Sequence, residues 1–207
     1  FPYTYSPSRK WGGLIFMWKL EIVNISSNQG LYNARLAGIK YARGKYVGFV
    51  DSDDYVMPGY FDKLYLCARD ENADIAVGKI VNQNADGVRY VQSRCETFPY
   101  VKNAYGKSVY QLYWEQAGQC YHWHVVWNKI YCRELWTKQM TVLKQMNTHL
   151  TMLEDFIYSS VVLSNVHTYV VDDKAVYNYV ESVTASTHDY SGKNLVKKKI
   201  LDMDRAF

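Results

Sequence analysis

The chain has 207 residues, 48% of them hydrophobic and 21% charged, with a net charge of +4. That length and apolar content suit one domain with a sizeable core and exclude intrinsic disorder, while four prolines and twelve glycines exclude collagen-like or linker composition. The charge is mild and the basic residues interleave with acidic ones, so no nucleic-acid partner is expected, and no apolar run approaches the ~20 residues that cross a bilayer.

Residues 1–19 read as an irregular N-terminal segment, punctuated by Pro2, Pro7 and Gly12-Gly13 among aromatic residues, without the pattern of a signal peptide. Alternation of apolar and polar residues predicts a strand over 20–25 and Asn28-Gln29-Gly30 a turn. A helix is expected over 33–43, with the small residues Ala34, Ala37, Gly38 and Ala42 beside Tyr41 on a face lying close to a neighbour, and Gly44 as its C-cap. Lys45 to Val50 reads as a short buried strand running directly into Asp51-Ser52-Asp53-Asp54. Pro58 should open a helix reaching Asn72, followed by strands over 74–81 and 88–92 around an Ala85-Asp86-Gly87 turn. Farther on, 105–116 reads as helix, 121–130 as an extended aromatic stretch and 133–138 as a short helix. A helix over 154–165 should turn Phe156, Ile157, Ser160, Val161 and Ser164 to one side; strands over 167–171 and 175–180 and a basic terminal helix over 191–207 complete the chain. Strands alternating with helices predict an α/β fold, a mostly parallel sheet covered on both faces. Cys67, Cys95, Cys120 and Cys132 form no C-x-x-C pair, which points to free thiols in a reducing compartment.

The strongest chemical signal is Asp51, Asp53 and Asp54 at the C-terminal end of a strand, where open α/β sheets bind ligands. Three carboxylates so close repel one another unless a cation or several N–H donors compensate them, and carboxylate oxygens suit Mg²⁺ or Mn²⁺ held together with substrate phosphates. A solvated turn capping the next helix is the plainer reading. An EF-hand loop fails, because Val56 and Asp62 stand where glycine and glutamate are needed. A phosphatase with Asp51 as nucleophile and Asp53 as acid stays open, although Tyr55 stands where such enzymes place threonine. Glu154-Asp155 opens a helix, where the macrodipole alone favours acids, and Trp127-Asn128-Lys129 says little in isolation.

In this order the pieces resemble a family 2 glycosyltransferase of GT-A fold. The run NQGLYNARLAGIKYARGKYVGFVDSDDYVMPGYFDKLY (28–65) is similar to that family's signature, and VWNKIYCRELW (126–136), EDFIYSSVVLSN (154–165) and YNYVESVTAST (177–187) resemble its later segments. The resemblance implies a glycosyltransferase domain over 20–190 that moves a sugar from a nucleotide-diphosphate donor to a saccharide or lipid-linked acceptor with inversion, in polysaccharide or glycoconjugate assembly. It implies that Asp51 and Asp53 form a D-x-D motif, with Asp53 as ligand of a divalent metal (Mg²⁺ or Mn²⁺), Asp155 as general base and Glu154 assisting it. Asn28 and Arg35 would orient the donor, Trp127 and Lys129 would line the acceptor side, and His188 would reach the diphosphate. Leu36 replaces the family's usual asparagine after the Ala-Arg pair, and nothing in 1–19 matches the strand-helix-strand with which members begin, so the chain is expected to lack it. A non-catalytic sugar- or nucleotide-binding relic of the same fold is the alternative. A cytoplasmic location is expected, with the basic stretch near Lys193–Lys199 read either as a solvated helix or as a peripheral contact with the inner face of the membrane.

Overall fold

The computed structural model describes residues 10–11, 14–15, 21–91, 104–105, 108–116, 121–146 and 154–181. The terminal helix expected over 191–207 and His188 lie outside these residues. Strands β1 (Lys10–Trp11) and β2 (Leu14–Ile15) pair as a small antiparallel ribbon. The main sheet has the order β3-β8-β5-β9-β4, built from β3 (Tyr46–Gly48), β4 (Tyr55–Val56), β5 (Ile75–Gln83), β8 (Lys129–Cys132) and β9 (Thr168–Val180). Two short strands, β6 (Arg89–Tyr90) and β7 (Ala104–Tyr105), add to β5 and β9.

The α/β class and the coverage of both sheet faces hold, but the sheet is mixed rather than mostly parallel. Among the described residues only the long β5–β9 ladder is parallel; β8 runs antiparallel between β3 and β5, and β4 antiparallel along β9. On one face α2 (Tyr60–Asp70) packs Tyr60, Leu64 and Ala68 against Ala76, Ile80, Val170 and Tyr177. On the other face lie α1 (Gly30–Tyr41), α3 (Ser108–Gln116), α4 (Arg133–Gln145) and α5 (Glu154–Leu163), closing over Ile75, Val77, Tyr131, Tyr169 and Val171. Alternate residues of β5 and β9 therefore serve opposite cores, as the two-residue period of a strand requires.

Several expectations are corrected. Residues 22–25 join neither sheet, and Ile22 is 78% exposed, since alternation alone does not supply a neighbouring strand. Helix α1 buries Tyr32, Arg35, Leu36 and Ile39, not the small-residue stripe. Large apolar side chains gain far more on burial than methyl groups, so Ala34 and Gly38 face outward. The helix closes at Ala42, whose N–H donates to the Gly38 and Ile39 carbonyls, not at Gly44. Pro58 precedes α2, whose N-cap is Gly59. The stretch 121–130 is a single 3₁₀ turn (Tyr121–Trp123) leading into β8, and α4 continues to Gln145 because Leu143 extends its buried stripe. In α5 the buried side is Glu154, Ile157, Tyr158, Ser159, Val162 and Leu163; of the expected stripe Ile157 is buried and Phe156 and Val161 pack partly buried against the same core, while Ser164 is exposed. Finally, 167–171 and 175–180 are one strand: the register jumps from Gly78↔Asp172 to Lys79↔Val176, leaving Asp173–Ala175 as a bulge.

Gly78 sits at that bulge, and a Cβ there would lie 2.6 Å from the Ala175 carbonyl oxygen and 2.8 Å from the Tyr60 ring. Backbone cannot yield as a flexible side chain does, so Gly78→Ala is expected to destabilise the fold by about 1–3 kcal/mol, measurable by urea unfolding.

Strands β3 and β4 stand on opposite edges, four strand spacings or roughly 19 Å apart in a flat sheet. The link between them is Phe49–Asp54, and it contains a turn closed by the Asp54 N–H on the Asp51 carbonyl at 3.1 Å. So short a connection requires the sheet to curl, and it draws the acidic turn across the sheet's end.

Candidate active site

Three distant parts of the chain meet on one guanidinium. Arg35 lies on the buried stripe of α1 with its side chain 6% exposed. Its Nη2 donates to Asp51 Oδ1 at 2.9 Å, and its Nη1 to Glu154 Oε1 at 3.2 Å and to Asp155 Oδ1. Asp51 arrives from the end of β3, and Glu154 and Asp155 from the first turn of α5, where exposed helix N–H groups favour negative charge. The Asp51 and Asp155 side chains remain 29% and 18% exposed. The arginine is thus the floor of the site, and two of its carboxylates open towards solvent.

Charge is unbalanced here. One guanidinium faces three carboxylates, with Asp53 and Asp54 close enough to repel as well. Burial, helped by repulsion from Glu154 and Asp51, pushes the Asp155 carboxyl up to about 7 against the pull of Arg35 and of the Val126 N–H. Burial likewise pushes Asp54 up to about 6, although it accepts hydrogen bonds from the Tyr177 hydroxyl and the Val180 N–H. The same three carboxylates hold Arg35 well above its ordinary value, so it stays charged. Perturbed carboxylates gathered in one opening are the usual mark of a functional site.

The other sequence-predicted residues are placed differently. Asp53 is exposed at the crest of the turn. Asn28 is exposed too, its Oδ1 accepting from the Gly30 N–H at 3.0 Å where Gly30 starts α1 with φ +78°; it fixes the entry to the helix that carries Arg35. Trp127 does not line an acceptor side: it is 4% exposed, stacked 4.4 Å from Tyr177 and 5.5 Å from Tyr179. Lys129 is wholly buried, its ammonium donating to the Val125 carbonyl and Asn128 Oδ1, both at 2.6 Å, and to the His122 carbonyl. It clamps the 122–128 loop and is not available to a substrate. Tyr177, which opens the YNYVESVTAST run, carries no site role in the sequence reading, yet its hydroxyl joins the acidic turn to β9.

Residues 10–132 match the profile of glycosyl transferase family 2. The chain belongs to that family. It is 34% identical over 118 residues to the uncharacterized glycosyltransferase EpsJ of Bacillus subtilis (strain 168), an alignment covering 54% of this chain and 31% of EpsJ. It is also 34% identical over 106 residues to glycosyltransferase GlyA of Streptococcus pneumoniae, covering 50% of this chain and 15% of GlyA. The chain thus spans a third or less of these two relatives. Among solved structures, Staphylococcus aureus TarS 1–349 in complex with UDP-GlcNAc matches 90% of this chain and 56% of that one, with a TM-score of 0.55 at 16% identity, a likeness of fold. The family match contains Arg35, Asp51 and Asp53 but ends before Glu154 and Asp155, and the Arg35 fork is what ties the two parts together.

Proposed function

We propose that this family 2 chain transfers a sugar from a nucleotide-diphosphate donor to a saccharide or lipid-linked acceptor hydroxyl, with inversion, in the assembly of a surface polysaccharide or glycoconjugate. The observation that carries the reading is the Arg35 fork, which puts the carboxylate of the D-x-D turn and an elevated, partly open carboxylate on either side of one cation. TarS has been crystallised with UDP and with UDP-GlcNAc, which supports uridine diphosphate as the donor base to test first.

The donor set fits a divalent cation. Among the described residues no cluster of three or more His, Cys, Asp or Glu forms a protein cage, but the exposed Asp53 offers hard oxygens beside excess negative charge, as suits Mg²⁺ or Mn²⁺ completed by substrate phosphates. Asp53 would hold the ion, which when bound stabilises negative charge on the leaving diphosphate. Asp51, fixed by Arg35, orients the donor. Asp155 takes the acceptor's proton as the acceptor oxygen forms its bond to the anomeric carbon and the bond to the diphosphate breaks. Arg35 and the Val126 N–H keep Asp155 pointed into the opening, and Glu154 raises its basicity by repulsion.

A base must be deprotonated, so the transfer rate should rise with pH through about 7 and then level off, where an unperturbed aspartate would already be flat. An initial-rate profile checks this. Proton NMR of the product made from an α-linked UDP-hexose tests the reaction itself: a β-linked product is expected, and retained α configuration defeats the single displacement with Asp155 as base.

A further inference from the structure

The acidic turn is locked to the sheet by one side chain of β9, Tyr177. The Tyr177 hydroxyl accepts from the Asp51 N–H at 3.1 Å and donates to Asp54 Oδ2 at 2.8 Å. The other oxygen of Asp54 accepts from the Val180 N–H at 2.8 Å, and the Asp54 N–H closes the turn on the Asp51 carbonyl at 3.1 Å. Every residue in this circuit belongs either to the turn or to β9. Next to it, β4 pairs with β9 through Tyr55↔Asn178 and Val56↔Tyr177, so the chain leaving the turn is fastened to the same strand. Tyr177 itself cannot shift: it is fully buried, stacked on Trp127 at 4.4 Å and edge-on to Tyr60 at 6.1 Å.

We infer that Tyr177 and Asp54 are positioning residues for donor binding. They act through the turn by fixing the distance between Asp51, which is held from the other side by Arg35, and Asp53 at the crest. Neither needs to touch the donor. The third carboxylate of D-S-D-D is therefore an anchor facing inward, while Asp53 faces out. Preorganisation of this kind lowers the ordering cost when a ligand binds, so its loss weakens binding more than it slows the chemical step. The inference rests on the donor site proposed above.

Tyr177→Phe removes the hydroxyl and keeps the stacked ring; Asp54→Asn keeps the shape but leaves one oxygen for two donors. UDP is titrated calorimetrically with Mn²⁺ into wild type and both variants, and donor KM and kcat are measured beside thermal unfolding. Tyr177→Phe should raise the Kd for UDP and the donor KM about tenfold, as expected for a lost hydrogen-bond pair involving a charged group, with Asp54→Asn in the same direction. Acceptor KM and kcat should stay within about threefold. Wild type that binds UDP while both variants bind it equally well overturns the inference and leaves the donor site standing. So does a fall of kcat in parallel with binding and unfolding temperature, which marks plain structural damage. Wild type that binds no UDP, GDP or dTDP overturns the donor site itself and the inference with it. If Tyr177→Phe does not fold, Asp54→Asn decides by the same criteria.

Discussion

Asp155→Asn should reduce the initial rate of sugar transfer at saturating donor by about 10²- to 10⁴-fold. The substitution preserves size and still lets the side chain accept from Arg35 Nη1 and the Val126 N–H, so the geometry of the opening survives. What disappears is the ability to take a proton. Donor binding should persist, because Asp53 and the 51–54 turn are untouched. The fold should not suffer: burial and two neighbouring carboxylates already disfavour the charge on Asp155, and one charge fewer relieves that repulsion. Near-normal turnover with intact binding would move the base elsewhere, and Glu154, on the same guanidinium nitrogen, is the first candidate.

Arg35→Met should be the most destabilising substitution in the site. The arginine is the shared partner of Asp51, Glu154 and Asp155, and its side chain is 6% exposed. Its removal leaves the buried Glu154 and the partly open Asp51 and Asp155 uncompensated, a change that costs about 3–5 kcal/mol for a fully buried pair and less where water reaches the carboxylates. The pH dependence carries the signature. Without the pull of Arg35 the Asp155 carboxyl, already raised by burial, rises further above its unfolded value, so the folded state binds more protons and stability falls as pH rises through that range. Urea unfolding should therefore show a larger loss at pH 8 than at pH 5. Arg35→Lys should recover only part of it, since an ammonium cannot present two nitrogens to Asp51 and Asp155 at once. Equal loss at both pH values would mean that Arg35 contributes packing rather than charge.

Much of the fold and part of the site are legible in the amino-acid sequence. The acidic turn after β3, the two-stranded return at Asn84–Val88 and the helix starting at Glu154 lie where their local signals put them. The misreadings arise where a local signal has more than one structural solution. In α1 a small-residue stripe and the Tyr32, Leu36, Ile39 stripe both recur at helical spacing, and only burial energy selects between them. In β9 the charges Asp172-Asp173-Lys174 break the alternation and imitate a loop, although the strand continues past a bulge. Trp127 and Lys129 have the chemistry of ligand-contacting residues and are used in the interior, because stacking tyrosines and loop carbonyls satisfy them there. The Arg35 fork could not be read locally at all: its nitrogens join residues 119 and 120 positions apart in sequence, which only the packing of α1 against α5 brings together.

The most direct test of a metal-assisted donor site facing a separate base is calorimetric titration of UDP with and without Mn²⁺ into wild type, Asp53→Asn and Asp155→Asn. Binding that requires Mn²⁺, vanishes in Asp53→Asn and persists in Asp155→Asn is the expected pattern. Binding that ignores the metal and Asp53, or that disappears with Asp155, would contradict the division of labour between the turn and the helix.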